Sequence, residues 1–161
     1  MLNANGWAQM RVAAQQHGPW DRIVSSPLRR CAEFAHELAA ADNVTMTLDE
    51  RWRELDFGTW EGRNPREVAA TDGDALTQFW RNPQSDPPPH GGEPWPCFQA
   101  RVMNAWRDLA HLADDRRVLV ITHGGVIRLL LGQSYGLPAP KLMSIDVPHA
   151  SLHRITMAAM T

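Results

Sequence analysis

Cysteine is scarce in this chain: two of its 161 residues, Cys31 and Cys97. Two cysteines so far apart form neither a disulfide framework nor the spacing of a zinc site, and both suit a reducing compartment as small apolar side chains. No apolar run approaches the roughly 18 residues that a membrane-spanning helix needs. No basic-apolar-small leader pattern stands at Met1. An excess of charge is missing as well. Lys and Arg number 16 against 18 Asp and Glu, a formal net charge of −2, so no global field draws the chain to nucleic acid or to an anionic membrane. Nothing resembles a carboxylate or cysteine cage, so no metal and no other cofactor is expected. Repeats and linkers are also lacking. A single domain, 1–161, with its own core is the expectation, in the cytoplasm.

What is present is an alternation of helix-like and strand-like segments. Trp7, Met10 and Ala14 are spaced for the buried face of a helix over 3–16, with Asn3 placed to cap it and Gly18-Pro19 to stop it. The run Arg22–Ser25 reads as a short buried strand. Ser26 then stands as a helix cap before Pro27 at the first helical position, where no N–H is needed, and Cys31, Phe34, Ala35 and Leu38 form the apolar stripe. Val44, Met46 and Leu48 alternate with threonines, as a half-buried strand does. Asn64, Pro65 and Glu67 resemble a capping box, opening a helix that is interrupted near Gly73 and resumes through Leu76, Phe79 and Trp80. Residues 83–96 hold six of the 12 prolines, which marks an ordered excursion or lid. Phe98, Val102, Ala105, Leu109 and Leu112 repeat at helical spacing. Val118–Ile121 is continuously apolar, like a parallel strand covered on both faces. A short helix over 126–135 and a last strand over 151–157 complete the order. The pattern predicts an α/β protein, a three-layer α/β/α sandwich with a mostly parallel sheet.

Such a fold gathers its ligand site at the carboxyl ends of the strands, beside helix N-termini. "THGG", residues 122–125, follows one strand, and its glycines allow a ligand close to the backbone of the next helix. "SSPLRR", residues 25–30, follows another. Arg29 and Arg30 in a first helical turn oppose the helix dipole, a mismatch explained if they hold phosphate through a bidentate guanidinium. Taken singly, each segment has a plain structural reading: a tight turn with a hydrogen-bonded histidine, a capped helix start, an acidic loop anchored by Phe57 and Trp60, a loop carboxylate at Glu93.

In order they read "SSPLRR", "RELDFGTWEG", "HGGE" ahead of a helix with "RV", then "THGG". This series resembles the histidine phosphatase, or phosphoglycerate mutase-like, family from about Leu2 to the end, and "LNANGWAQ" matches the opening of that family's first helix. In the family, the histidine of an Arg-His-Gly motif after the first strand attacks phosphorus. A second histidine and two arginines hold the phosphoryl oxygens, and a carboxyl group protonates the leaving oxygen. The resemblance implies that His123 is the second histidine, Arg30 the phosphate-binding arginine and Glu54 the proton donor. It places Ser25 and Gly124 beside the phosphate, and Glu93 and Trp60 at the substrate or lid. Trp60, Trp80 and Trp95 serve equally well as stacking surfaces for a base or as core anchors. The substrate implied is a small phosphorylated metabolite, and the motifs look most like α-ribazole phosphatases of cobalamin biosynthesis.

One part of the pattern is missing: no "RHG" stands in these 161 residues, so they contain no family nucleophile. An N-terminally shortened phosphatase, lacking the first strand and inactive or nearly so as it stands, is the expectation. A non-catalytic phosphoester-binding or protein-interaction relative is the alternative, and a phosphoglycerate mutase-like enzyme with another small phosphorylated substrate is a second. If an interior strand is lacking, its neighbours need new partners. The expected repair is pairing of 151–157 with Val118–Ile121, or a segment of another copy, which makes a homodimer one outcome.

Overall fold

The structure, a computed structural model, describes residues 4–83, 92–112 and 116–155. Its elements run α1 (Ala4–His17), β1 (Arg22–Ser25), α2 (Arg29–Asp42), β2 (Thr45–Leu48), α3 (Pro65–Arg81), α4 (Trp95–Leu112), β3 (Val118–Ile121) and α5 (Gly124–Ser134), with 3₁₀ turns at Glu50–Trp52, Gly58–Trp60 and Ala139–Ser144. The three strands form a sheet in the order β2-β1-β3, parallel throughout. The fold is α/β. Because the strands are parallel, all three release the chain at the same end of the sheet, and the site is built there.

Alternation along the strands divides the core in two. Ile23 of β1 and Leu119 and Ile121 of β3 face α1 and α2, where they meet Ala14, Cys31, Phe34, Ala35 and Leu38. Val24, Val118 and Val120 point the other way, onto Phe98, Val102 and Ala105 of α4 and Val126, Leu129 and Leu130 of α5. Helices therefore cover both faces of the sheet. Further out, Phe79 of α3 packs edge-on against Phe57 and Trp60 with centroids 6.4 and 6.2 Å away, tying the 53–62 loop to the larger core. Among the described residues no helix is long and apolar enough to cross a membrane.

Several sequence expectations shift. The helix after β1 begins at Arg29 with Leu28 as its cap residue, not with Ser26 as cap and Pro27 inside. Ser26 Oγ does accept the Leu28 N–H at 3.2 Å, but in a turn that precedes the helix, because the hydroxyl is also engaged by the site. In β2, Leu48 is 42% exposed, since that strand lies at the sheet edge. In β3 only Ile121 is fully buried, its neighbours being half-buried. The last strand is a clear correction: 151–155 is not strand, and 156–157 lies outside the described residues. Ser151 and the neighbouring histidines bond within the turn and to α1 instead. Ser151 N donates to Pro148 O at 3.1 Å, Ser151 Oγ and His153 Nε2 are 2.9 Å apart, and His149 Nε2 reaches Gly6 O in α1 at 3.3 Å. The expected pairing of this segment with β3 is therefore not made by 151–155. Asn3, the expected cap of α1, also lies outside the described residues, as do 84–91 of the proline-rich excursion, whose last residues, Trp95 and Pro96, already belong to α4.

The capping box is as the sequence spells it. Asn64 Oδ1 accepts from Arg66 N and Glu67 N, both at 3.0 Å, and Glu67 returns a carboxylate to Asn64 N at 2.9 Å. The helix it starts is kinked at Asp72 (φ −131°, ψ 31°), one residue before the expected break. Replacing Asn64 by Ala strands two helix N–H groups, and urea unfolding is expected to show a loss of about 1 kcal/mol with an unchanged m-value.

Candidate active site

Two strand ends create the site. The parallel register sets Ser25 opposite Ile121, and Ser26 N donates to Ile121 O at 2.9 Å just beyond the last strand pair. "SSPLRR" and "THGG", nearly a hundred residues apart in the chain, thereby leave the sheet side by side. One residue further, the two helices diverge. Arg29 turns outward to Glu33 at 2.5 Å on the helix surface. Arg30 turns inward and its Nε donates to His123 Nδ1 at 3.1 Å.

His123 is 5% exposed, and both of its ring nitrogens are engaged. Since a guanidinium can only donate, Nδ1 is the acceptor and the imidazole proton sits on Nε2. Nε2 lies 2.7 Å from Ser26 Oγ, which accepts that proton while also accepting from Leu28 N. Burial, and then the charges of Arg30, Arg101 and Arg53, lower the imidazole from its ordinary 6.5 to about 3. The ring is neutral across the physiological range. Cys31 packs against it, with Sγ 3.7 Å from Nε2. Burial pushes the Cys31 thiol up to about 12, with the Arg30 charge opposing, so the cysteine remains a thiol beside the ring.

Glu54 comes to the same place from a loop without regular structure. The residue is half-buried, but its carboxyl group is enclosed: Oε1 accepts from Leu55 N at 3.0 Å and Oε2 from Gly125 N at 3.1 Å. Here the second glycine of "THGG" is required. A Cβ on Gly125 would stand 2.2 Å from Glu54 Oε1. The first turn of α5, expected to offer its N–H groups to a bound anion, thus already gives one of them to Glu54. Burial pushes the Glu54 carboxyl above its ordinary 4.5, against the two amide hydrogen bonds and the charges of Arg30 and Arg128. A carboxyl held this way keeps its proton to higher pH than a solvated one, as a general acid must.

The remaining expected residues sit less directly at this centre. Ser25 is fully buried and its Oγ donates to Ser26 O at 2.9 Å. Gly124 opens α5, where an added Cβ would stand 2.8 Å from Arg128 Nη1. Glu93 is paired with Arg101 at 2.7 Å, and its own N–H donates to Asp56 O at 2.8 Å. Trp60 is a core residue, 4% exposed, with its indole N–H 3.3 Å from Asp72 Oδ2; its ring packs on Phe79 and does not line the Arg30–His123 centre. Among the described residues no three His, Cys, Asp or Glu side chains gather as a metal would require.

Three participants lie in segments the sequence marks without a role of their own: Ser26 as a helix cap, Gly125 as one of a glycine pair, and Arg101 as part of "RV". The side chain of Thr122 is a fourth, donating to Trp52 O at 2.7 Å and so tying the Glu54 loop to the end of β3. The doubled serine, the doubled glycine and the arginine after a Glu-containing loop were the available signals, but none says which partner it meets.

Comparison with known proteins agrees with this geometry. Residues 1–160 match the histidine phosphatase superfamily (branch 1), and the chain belongs to that family. It is 28% identical over 142 residues to the adenosylcobalamin/alpha-ribazole phosphatase of Salmonella typhimurium, spanning 88% of this chain and 70% of that protein. Identity to the glucosyl-3-phosphoglycerate phosphatase of Mycolicibacterium vanbaalenii is 34% over 124 residues, 72% of this chain and 54% of that one. A bifunctional Mycobacterium tuberculosis protein is 32% identical over 154 residues, and there the chain spans 42% of the relative's length. Among solved structures, the alpha-ribazole phosphatase of Shigella flexneri superposes with a TM-score of 0.76 at 23% identity, covering 93% of this chain and 75% of that one, which speaks for the fold. A mycobacterial glucosyl-3-phosphoglycerate phosphatase gives 0.72 at 29% identity, with 90% and 72% covered.

Two outcomes are expected from the site's electrostatics. In a ¹⁵N-imidazole titration, His123 stays neutral with its proton on Nε2 from pH 8 to near pH 3; a midpoint close to 6.5 would contradict the buried, Arg30-bonded ring. The sign for stability follows. Below pH 6.5 the unfolded chain binds a proton at this position that the folded chain refuses, so stability falls as pH falls, by up to about 1.4 kcal/mol per pH unit from this group. Glu54, with its raised carboxyl, works in the opposite sense, so the His123→Gln chain is the comparison that isolates the histidine in urea denaturation at pH 5 and 7. Separately, Gly125→Ala drives Glu54 off the α5 amide, and a ¹³C-carboxyl titration is expected to find Glu54 returned toward its ordinary value.

Proposed function

We propose that this site holds the phosphoryl group of a small phosphomonoester, with Arg30 and His123 as its ligands and Glu54 as the acid that protonates the leaving oxygen. One observation carries the reading: the guanidinium of Arg30 and the ring of His123 meet at 3.1 Å, beside a carboxyl group whose burial favours its protonated form. Arg30 is exposed at its outer side, so its remaining donors are open to a ligand. Phosphoryl transfer consists mostly of positioning and charge stabilisation, which an arginine and an oriented histidine supply without a cofactor. An alkoxide leaves poorly, and a proton from Glu54 answers that need.

The substrate class we favour is a nucleotide-like ester of the α-ribazole 5'-phosphate kind, in the cytoplasm and within cobalamin assembly. The Salmonella relative and the motif series support it. The higher identity to a glucosyl-3-phosphoglycerate phosphatase favours a phosphorylated sugar acid as the second candidate. The 161 residues contain no Arg-His-Gly, and in this reading they turn over little or nothing by themselves. Loss of a nucleophile that splits hydrolysis into two steps commonly costs several orders of magnitude.

Binding and turnover are tested apart. Titration calorimetry with inorganic phosphate is expected to show binding by the chain as it stands, weakened about tenfold or more by Arg30→Ala. Hydrolysis of p-nitrophenyl phosphate, α-ribazole 5'-phosphate and glucosyl-3-phosphoglycerate is then compared between this chain and one extended by the in-frame codons upstream. Turnover only in an extended form carrying Arg-His-Gly, and loss of it with Glu54→Gln, supports the assignment. Phosphate binding without turnover in either form points to the non-catalytic relative. Absence of phosphate binding rejects the site.

A further inference from the structure

The Glu54 carboxyl hangs from the loop that follows the 3₁₀ turn Glu50–Trp52, and Arg101 on α4 makes the most hydrogen bonds to the backbone there. Arg101 uses all five of its N–H donors. Nη1 donates to the carbonyls of Arg51 and Arg53, both at 2.8 Å. Nη2 donates to Glu54 O at 2.9 Å and to Glu93 Oε2 at 2.7 Å, and Nε donates to Glu93 Oε1 at 2.7 Å. The guanidinium lies 4.9 Å over the ring of Phe98, which is fully buried. Glu93 in turn holds Asp56 O through its backbone N–H. The residues on both sides of Glu54 are thus bound to one ion pair.

We infer that Arg101, oriented by Glu93, is the positioning residue for Glu54: its guanidinium sets the 51–54 backbone so that the carboxyl reaches the Gly125 amide. This rests on reading Glu54 as the proton donor, though the contact itself does not depend on that role. Among the described residues Arg101 hydrogen-bonds only backbone carbonyls and Glu93, not the Glu54 carboxyl; the charged groups that face the carboxyl are Arg30 from α2 and Arg128 from α5, with the Cys31 thiol nearby. A lysine carries the same charge but has three donors on one atom and cannot span three carbonyls and a carboxylate. Misplacing a reacting group by about 1 Å can cost 100-fold in rate, which gives this anchoring its functional weight.

The test uses the 161-residue chain and needs no turnover. Amide hydrogen exchange of Gly125, the donor to Glu54, is compared with that of the β1 amides in the wild type, Arg101→Lys, Arg101→Gln and Glu93→Gln, together with the ¹³C-carboxyl titration of Glu54. Expected is Gly125 exchange about tenfold faster in both Arg101 variants with β1 unchanged, and a Glu54 midpoint lowered as the carboxyl meets water. The downward sign matters, because simple removal of a positive charge would raise a carboxyl. Glu93→Gln is expected to give the same changes at smaller size, and it carries the test with Arg101→Lys if Arg101→Gln does not fold. Gly125 and β1 amides accelerating together, or Gly125 and Glu54 staying at their wild-type values, overturns the inference. Retained turnover by Glu54→Gln in an active, extended form would remove the proton-donor role and leave the exchange result standing.

Discussion

The register of β1 against β3 is the constraint on which the site depends. Pairing Arg22 with Val118 carries Ser25 to Ile121, and both strands then end at the same height. Ser26, Arg30 and His123 are placed by that register, and a slip of one residue would reverse which face each strand side chain points to. The register is defended by packing. Ile23 and Ile121 face one layer while Val24 and Val120 face the other, so any slip would expose apolar groups on both sides of the sheet. The most hydrophobic part of the molecule thus fixes its most polar part.

Within the site, burial and charge divide the work. Four arginines, Arg30, Arg53, Arg101 and Arg128, act on His123 or Glu54 in a chain whose formal net charge is −2. Burial first, and then the fields of Arg30, Arg101 and Arg53, keep the imidazole neutral. Arg30 and Arg128 pull the carboxyl toward ionisation, and desolvation outweighs that pull. The result is a neutral ring and a carboxyl with a raised affinity for its proton, standing beside a guanidinium with donors to spare. On the proposed reading, those spare guanidinium donors are the complementary charge for a dianionic phosphoryl group.

Much of this was legible along the chain. The capping box at Asn64 and Glu67 is written in side chains that satisfy backbone groups within one turn, and the stripe from Cys31 to Leu38 lies on one helix face because helical period alone puts it there. Local rules suffice for such features. They failed where a distant partner competed. Ser26 is a good cap by type, but its hydroxyl is shared with His123, and the helix starts at Arg29 instead. The segment 151–157 alternates like a strand, yet Ser151 bonds to Pro148 and His153, and His149 just before it reaches α1. Trp60, open along the chain between a stacking surface and a core anchor, is a core residue beside Phe79.

By itself the sequence determined the α/β order of elements, the family through its four ordered motifs, and the identities of His123, Arg30 and Glu54 as the residues worth watching. The order follows from periodicity and Arg30 from an arginine set against a helix dipole, whereas His123 and Glu54 follow from the resemblance of the motif series to the family. Tertiary structure alone decided which atom of His123 carries the proton, why the second glycine must be Gly125, and that Arg101 grips the carbonyls around Glu54. Each of these is a contact between residues about 50 or more positions apart. Such contacts depend on how the layers close, and no local pattern encodes the direction from which a partner arrives.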